Sequence, residues 1–305
     1  MNNKVTAALP LAFALLGGTL LTNTGTEQHR VRLAYHTVFK PAAAALSPAD
    51  QAVAEENCPF GLPQKDPGWG FGPTALVARQ GYALEHSAVD KVPLWVCEHI
   101  EKGELTGSMT RSDKFAPDPK LPVGQRAELA DYSGSHYDRG HMAPAGDQNS
   151  SQARKDETFY LSNMCPQVGA GLNRSVWKNL EDAVRSWVVD GAVNSEWVVT
   201  GAFFYDPKEE NPATATGTLD TPVIGKDAVS VPTHFYKIVV GQTADNKLRA
   251  VAFVFENRAY PPGTNIETTI KPISWIEERT GLNFMPRLDA ATEQQLEKQP
   301  GQLFE

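Results

Sequence analysis

The segment from Gly171 to Gly191, GLNRSVWKNLEDAVRSWVVDG, constrains the fold more than any other stretch of the chain. Val176, Trp177, Leu180, Val184, Trp187 and Val188 recur at helical spacing and make one apolar stripe, the buried face of a helix. Asn173 suits the start of that helix as a cap, and Asp190-Gly191 suits its end. A second helix is expected in ISWIEERTGLNF, stopped by Gly281. Strands are expected at Tyr82–Leu84, Pro93–His99, Thr158–Ser162, Trp197–Phe204, His234–Val240 and Leu248–Phe255. The last three are β-branched or aromatic runs bounded by Gly, Asp, Asn and Pro. Strands with helices between and after them predict a mixed α+β domain, its central sheet largely antiparallel and flanked by helices.

The chain has 305 residues, with 28 Lys and Arg against 36 Asp and Glu, a formal net charge of −8. That balance argues against a protein that coats nucleic acid non-specifically, but it leaves room for an enzyme with a local basic cleft. Near the N-terminus, Lys4 precedes an apolar run from Ala7 to Leu21, too short to span a bilayer and matching the core of a secretory signal. The expected organisation is a signal peptide or N-terminal anchor at 1–24, a polar Ala-rich linker or extension at 25–57, one domain at 58–288, and a peripheral polar tail at 289–305. Export to the periplasm or medium is expected, with a membrane partner only if the first segment stays uncleaved. Three cysteines do not make a disulfide scaffold; export would permit one bridge, and Cys58–Cys97 is the expected pair with Cys165 free.

Two clusters carry residues suited to chemistry. In DYSGSHYDRGHMAPAGD, the run Asp138-Arg139-Gly140-His141 offers a base that is neutral near pH 7 and a planar cation suited to phosphate. By itself the run also fits a turn with an ordinary surface histidine. On the helix, Glu181 follows Asn173 by two turns, so their side chains return to within roughly 80° of each other. Asn173, Glu181 and Arg185 then share one side, while Lys178 and Asp182 fall further round toward solvent. One amide oxygen and one carboxylate suit Mg²⁺, which keeps most of its waters. A cap asparagine beside an ordinary Glu–Arg surface pair is the alternative.

Taken together the clusters resemble the DNA/RNA non-specific endonucleases of the ββα-metal, or His-Me finger, type. The resemblance rests on DRGH at 138–141, FYLSNMCPQ at 159–167 and LNRSVWKNLE at 172–181, in family order. It extends to RSDKFAPDP at 111–119, WVVTGAFF at 197–204 and WIEERTGLNF at 275–284, so that it covers residues 58–286. It implies that His141 is the general base and that Asn173 is the direct ligand of a Mg²⁺ for which Mn²⁺ can substitute. Glu181 matches the carboxylate that holds metal-bound water. Arg111 and Arg185 match cations set against the phosphate, Arg139 and Asn163 match residues that shape the site, and Asp138 supports the loop. Cys165 reads as packing.

The activity implied is sugar-non-specific cleavage of DNA and RNA leaving 5′-phosphate ends, with a homodimer as the expected assembly. Two other readings are a metal-dependent phosphodiesterase on a non-polynucleotide diester and an inactive relative that only binds nucleic acid. PGWGFGP at 67–73 lacks the Lys-Ser/Thr of a phosphate loop and reads as a structural loop.

Overall fold

The computed structural model describes residues 20–24, 27–33, 46–67, 69, 71–206 and 218–304. The expected signal or anchor lies outside the described residues up to position 19, as do 25–26 and 34–45 of the expected linker. Strands β1 (Leu20–Thr24) and β2 (Glu27–Leu33) form a hairpin, and helix α1 (Pro48–Asn57) follows. Ser47 caps α1, its hydroxyl accepting from the Asp50 N–H at 3.1 Å, with Pro48 in the first turn. After β3 (Gln64–Lys65) come β4 (Thr74–Arg79), β5 (Tyr82–Ser87) and β6 (Pro93–Glu101), joined as an antiparallel meander. The short helices α2 (Lys102–Leu105) and α3 (Leu129–Tyr132) lead to β7 (Tyr137–His141), α4 (Gln152–Glu157), β8 (Met164–Val168) and α5 (Lys178–Val189). The remainder is β9 (Ser195–Phe203), β10 (Thr218–Ile224), β11 (Val229–Ser230), β12 (His234–Gln242), β13 (Leu248–Glu256), α6 (Ile273–Thr280), β14 (Leu282–Asn283) and α7 (Ala290–Glu297).

Six strands build the central sheet in the order β13-β12-β9-β6-β5-β4, every neighbouring pair antiparallel. Strand alternation gives it two faces. Val96, Val198, Phe235, Val239 and Phe253 meet α5 on one face, while Trp95, Cys97, Tyr236, Ile238 and Ala252 meet α1, α6 and α7 on the other. The α5 stripe is the expected one. Trp177 packs edge-on against Phe235 and Phe255 at 5.8 and 5.7 Å, and Trp187 against Phe304 at 5.0 Å. The result is an α+β fold with helices on both sides of an antiparallel sheet.

Several expectations change. Thr158–Ser162 is not a strand: it leaves α4 and closes in a 3₁₀ turn at Leu161–Asn163, and the strand starts at Met164. Its apolar residues belong to the core all the same, with Phe159 and Leu161 fully buried. Asn173 does not cap the long helix. A π-helical stretch, Gly169–Trp177, precedes α5, and the chain turns into it at Gly171, whose φ of 84° favours glycine. Within the expected linker, α1 packs on the sheet with Ala54 buried. The expected peripheral tail contains α7 and packs Phe304, 2 % exposed, against Trp187, because two large apolar rings bury each other there.

Candidate active site

The β7–β8 hairpin, the π-helical turn and α5 form a continuous ββα unit. Gly140 pairs with Cys165 and His141 with Met164 across the hairpin. Gly140 is required by close approach, since a Cβ there would lie 2.0 Å from Gln167 Oε1. Beyond His141 the chain is clamped by Asn163, which is fully buried. Its Oδ1 accepts from the Ala143 N–H, and its Nδ2 donates to the carbonyls of Ala143 and Thr158, all at 2.9 Å. With both amide atoms so engaged, Asn163 shapes the loop and does not reach outward.

Around His141 the structure gathers Arg111, Arg139, Phe115 and Phe159. The imidazole packs against Phe159 and Phe115 at 5.1 and 5.8 Å. The Arg111 guanidinium lies 5.0 Å from the Phe159 ring, and that of Arg139 lies 4.8 Å from Phe115. Arg111 is half exposed and bonds Asp113 at 2.6 Å. Burial first, and then the Arg111 charge, pull the His141 pKa down to about 3, so the ring is neutral in any ordinary buffer. Its Nε2 is buried without a hydrogen-bond partner.

Asn173 is joined to the same hairpin. Its Nδ2 donates to Asp138 Oδ2 at 2.9 Å, and Arg174 holds both oxygens of Asp138 at 2.8 and 3.1 Å. Asp138 is therefore committed to orienting its neighbours. The bond to Nδ2 fixes the amide plane and makes Oδ1 the atom of Asn173 available to a ligand.

Glu181 and Arg185 sit further along α5. Arg185 Nη1 donates to Asp147 Oδ1 at 2.6 Å, and Nη2 donates to Asp182 Oδ1 at 2.5 Å. Burial raises the Glu181 pKa to about 7, against the pull of Lys237. Beneath them the inner face of the sheet carries Glu98, Glu196 and Lys237, each buried. Lys237 Nζ donates to Thr200 Oγ1 at 2.6 Å and lies 5.4 Å from the Trp177 ring. Glu196, with neither carboxyl oxygen partnered, is pushed up to about 9 by burial and then by Asp147, which keeps it protonated.

This arrangement has known relatives. Residues 70–291 match the family described as DNA/RNA non-specific endonuclease. The chain belongs to that family. It is 39 % identical to Nuclease C1 of Cunninghamella echinulata var. echinulata over 71 % of this chain and 85 % of that one. It is 35 % identical to mitochondrial endonuclease G of Homo sapiens over 76 % of this chain and 74 % of the relative. A solved EndoG/EndoGI complex, described as showing the mechanism of EndoG inhibition, matches with a TM-score of 0.68 and 34 % identity. That match covers 77 % of this chain and 92 % of the other.

The family is known as one of metal-dependent nucleases, and the donor set here fits a hydrated divalent ion. Among the described residues no group of three or more His, Cys, Asp or Glu is placed to hold a metal. An amide oxygen oriented by Asp138, with the Glu181 carboxyl two turns further along the chain in α5, suits an ion that keeps its waters. Sequence reasoning missed Asp147 as the partner of Arg185, Phe115 and Phe159 as the walls around His141, and the buried trio Glu98, Glu196 and Lys237. The alternating strand positions of Glu98 and Lys237 were the available signal, since each falls at an inward register between apolar residues, Val96 and Ile100 for one and Phe235 and Val239 for the other.

Proposed function

We propose that this protein hydrolyses phosphodiester bonds in both DNA and RNA, using a divalent cation and leaving 5′-phosphate ends. The observation that carries this reading is the neutral His141, walled by Phe115 and Phe159, with the Arg111 charge acting on it. A base must be unprotonated to take a proton from the attacking water, and His141 meets that condition. With Nε2 sealed in the interior, Nδ1 is the nitrogen left to accept the proton.

Arg111 beside His141 neutralises the extra charge that develops on the phosphoryl oxygens, while Arg139, held over the Phe115 and Tyr132 rings, shapes the site. Arg185 is steadied by Asp147 and contributes positive potential from the helix side. Asn173 Oδ1 would hold Mg²⁺ or Mn²⁺ directly, and Glu181 would hold one of the ion's waters. When bound, the ion would supply charge neutralisation at the phosphate and help the 3′ oxygen leave. Nothing in this set reads a base edge, so cleavage is indifferent to sequence and weakens as salt rises. The apolar run near the N-terminus supports export, which the mass of the mature chain would test.

Digestion of plasmid DNA and of a long RNA, with Mg²⁺ and again after exhaustive chelation, tests this function. Cleavage of both polymers only when the cation is present supports it. Turnover of a small diester with both polymers left intact would contradict it, as would binding of nucleic acid without cleavage.

A further inference from the structure

Cys58 is the residue that ends α1, and Cys97 lies in mid-strand on β6. Trp95 and Cys97 share the face of β6 that meets α1 and α6. The residue before Cys58 is seated against this strand, because the His99 N–H donates to Asn57 Oδ1 at 3.3 Å. Both cysteines are free thiols in the structure, so the expected bridge is not formed there; they are buried, at 4 % and 2 % exposure, and both line one cavity of about 10 Å³ shared with Phe60, Trp197 and Met285. Burial first, and then the neighbouring Cys97 thiol, hold the Cys58 thiol well above its ordinary range. Cys165 belongs to the core on the opposite side of the sheet and cannot compete for either partner.

We propose that Cys58 and Cys97 are an oxidisable pair that closes into a disulfide, cross-linking α1 to the central sheet when the protein meets a hydroperoxide. One thiol attacks hydrogen peroxide, its proton passes to the departing oxygen as the O–O bond breaks, and sulfenic acid and water form. The second thiol attacks the sulfenic sulfur, the S–O bond breaks, and a second water leaves as the S–S bond forms. Two thiols are thereby oxidised by two electrons, and one peroxide is reduced to two waters. The cavity between the residues is of the order of one water molecule, so it admits a small oxidant and excludes a bulky one. The ring closed is roughly forty residues and contains β3, β4 and β5, so the cross-link restricts the unfolded chain and fixes one edge of the sheet.

The test treats the full chain with hydrogen peroxide, then counts thiols after denaturation and maps non-reduced peptides. Three free thiols should fall to one, a peptide joining Cys58 to Cys97 should appear, and the melting temperature should rise by roughly 5–10 °C, reversibly with dithiothreitol. Cys97→Ser should lose the shift and Cys165→Ser should keep it. Should Cys97→Ser fail to fold, the peptide map of the unaltered protein decides alone. Three thiols still free after oxidation, or a bridge that involves Cys165 or two chains, would overturn the proposal.

Discussion

Asp147 Oδ1 accepts a 2.6 Å hydrogen bond from Arg185 Nη1 and so ties the loop that follows His141 to the middle of helix α5. At the other end of the same unit, Asp138 accepts from Asn173. His141 lies between these two carboxylates in the chain. The base is held in register with the helix that carries Asn173, Glu181 and Arg185 by two charged hydrogen bonds and the β7–β8 ladder.

Asp147→Asn should uncouple Arg185 from the loop. The expected cost is roughly tenfold to a hundredfold in kcat, with about 2 kcal/mol of stability lost from the buried pair. Steady-state kinetics on duplex DNA alongside a urea melt reads both. A kcat within twofold of the parent would show that the bond does not position Arg185.

Arg111 lowers the His141 pKa, and the proposed mechanism also sets it against the phosphate. With the folded imidazole near 3, the acid limb of kcat/KM attributable to His141 lies well below neutrality. Removing the cation in Arg111→Ala raises that pKa, so the limb should move to higher pH while the plateau drops by roughly tenfold to a thousandfold. A pH–rate profile of both proteins checks the sign. A limb that stayed put or moved to lower pH would contradict the assignment.

Asn173→Ala should leave the fold intact and raise the Mg²⁺ concentration for half-maximal rate at least tenfold, in line with loss of a direct ligand. A Mg²⁺ titration of the initial rate measures it. An unchanged titration curve would remove Asn173 from the metal site.

Glu277 and Glu297 face each other across α6 and α7, and burial raises them to about 7 and about 8. A carboxyl whose folded pKa exceeds its unfolded value favours the folded state while protonated. That stability is complete below about pH 4.5 and is lost as pH rises through 7 to 8. Thermal melts should therefore fall between pH 6 and 9, and Glu297→Gln should flatten the decline and gain about 1 kcal/mol at pH 9. A parent protein with a level melting temperature over that range would refute the raised pKa values of these two carboxyls.

Much of this architecture was legible in the sequence because its signals are periodic. The α5 stripe and strands β5, β6, β9, β12 and β13 follow from apolar spacing and turn residues. The segment around Phe159 misled because burial, not pairing, makes it apolar: Phe159 and Leu161 plug the core from a turn. Asn173 reads as a cap because its residue type is right for one, yet Asp138 takes its amide and the π-helical turn does the rest. Only tertiary contact reveals such a partner. The same holds for Asp147, Phe115 and Phe304, whose roles depend on residues far away in the chain.

The proposed chemistry depends above all on His141 as the base that activates water. Single-turnover cleavage of a labelled DNA duplex at saturating Mg²⁺, by the parent and by His141→Ala, tests it most directly. The account predicts a rate lower by roughly 10² to 10⁴ for the variant with duplex binding retained; a variant rate within a few-fold of the parent would contradict it.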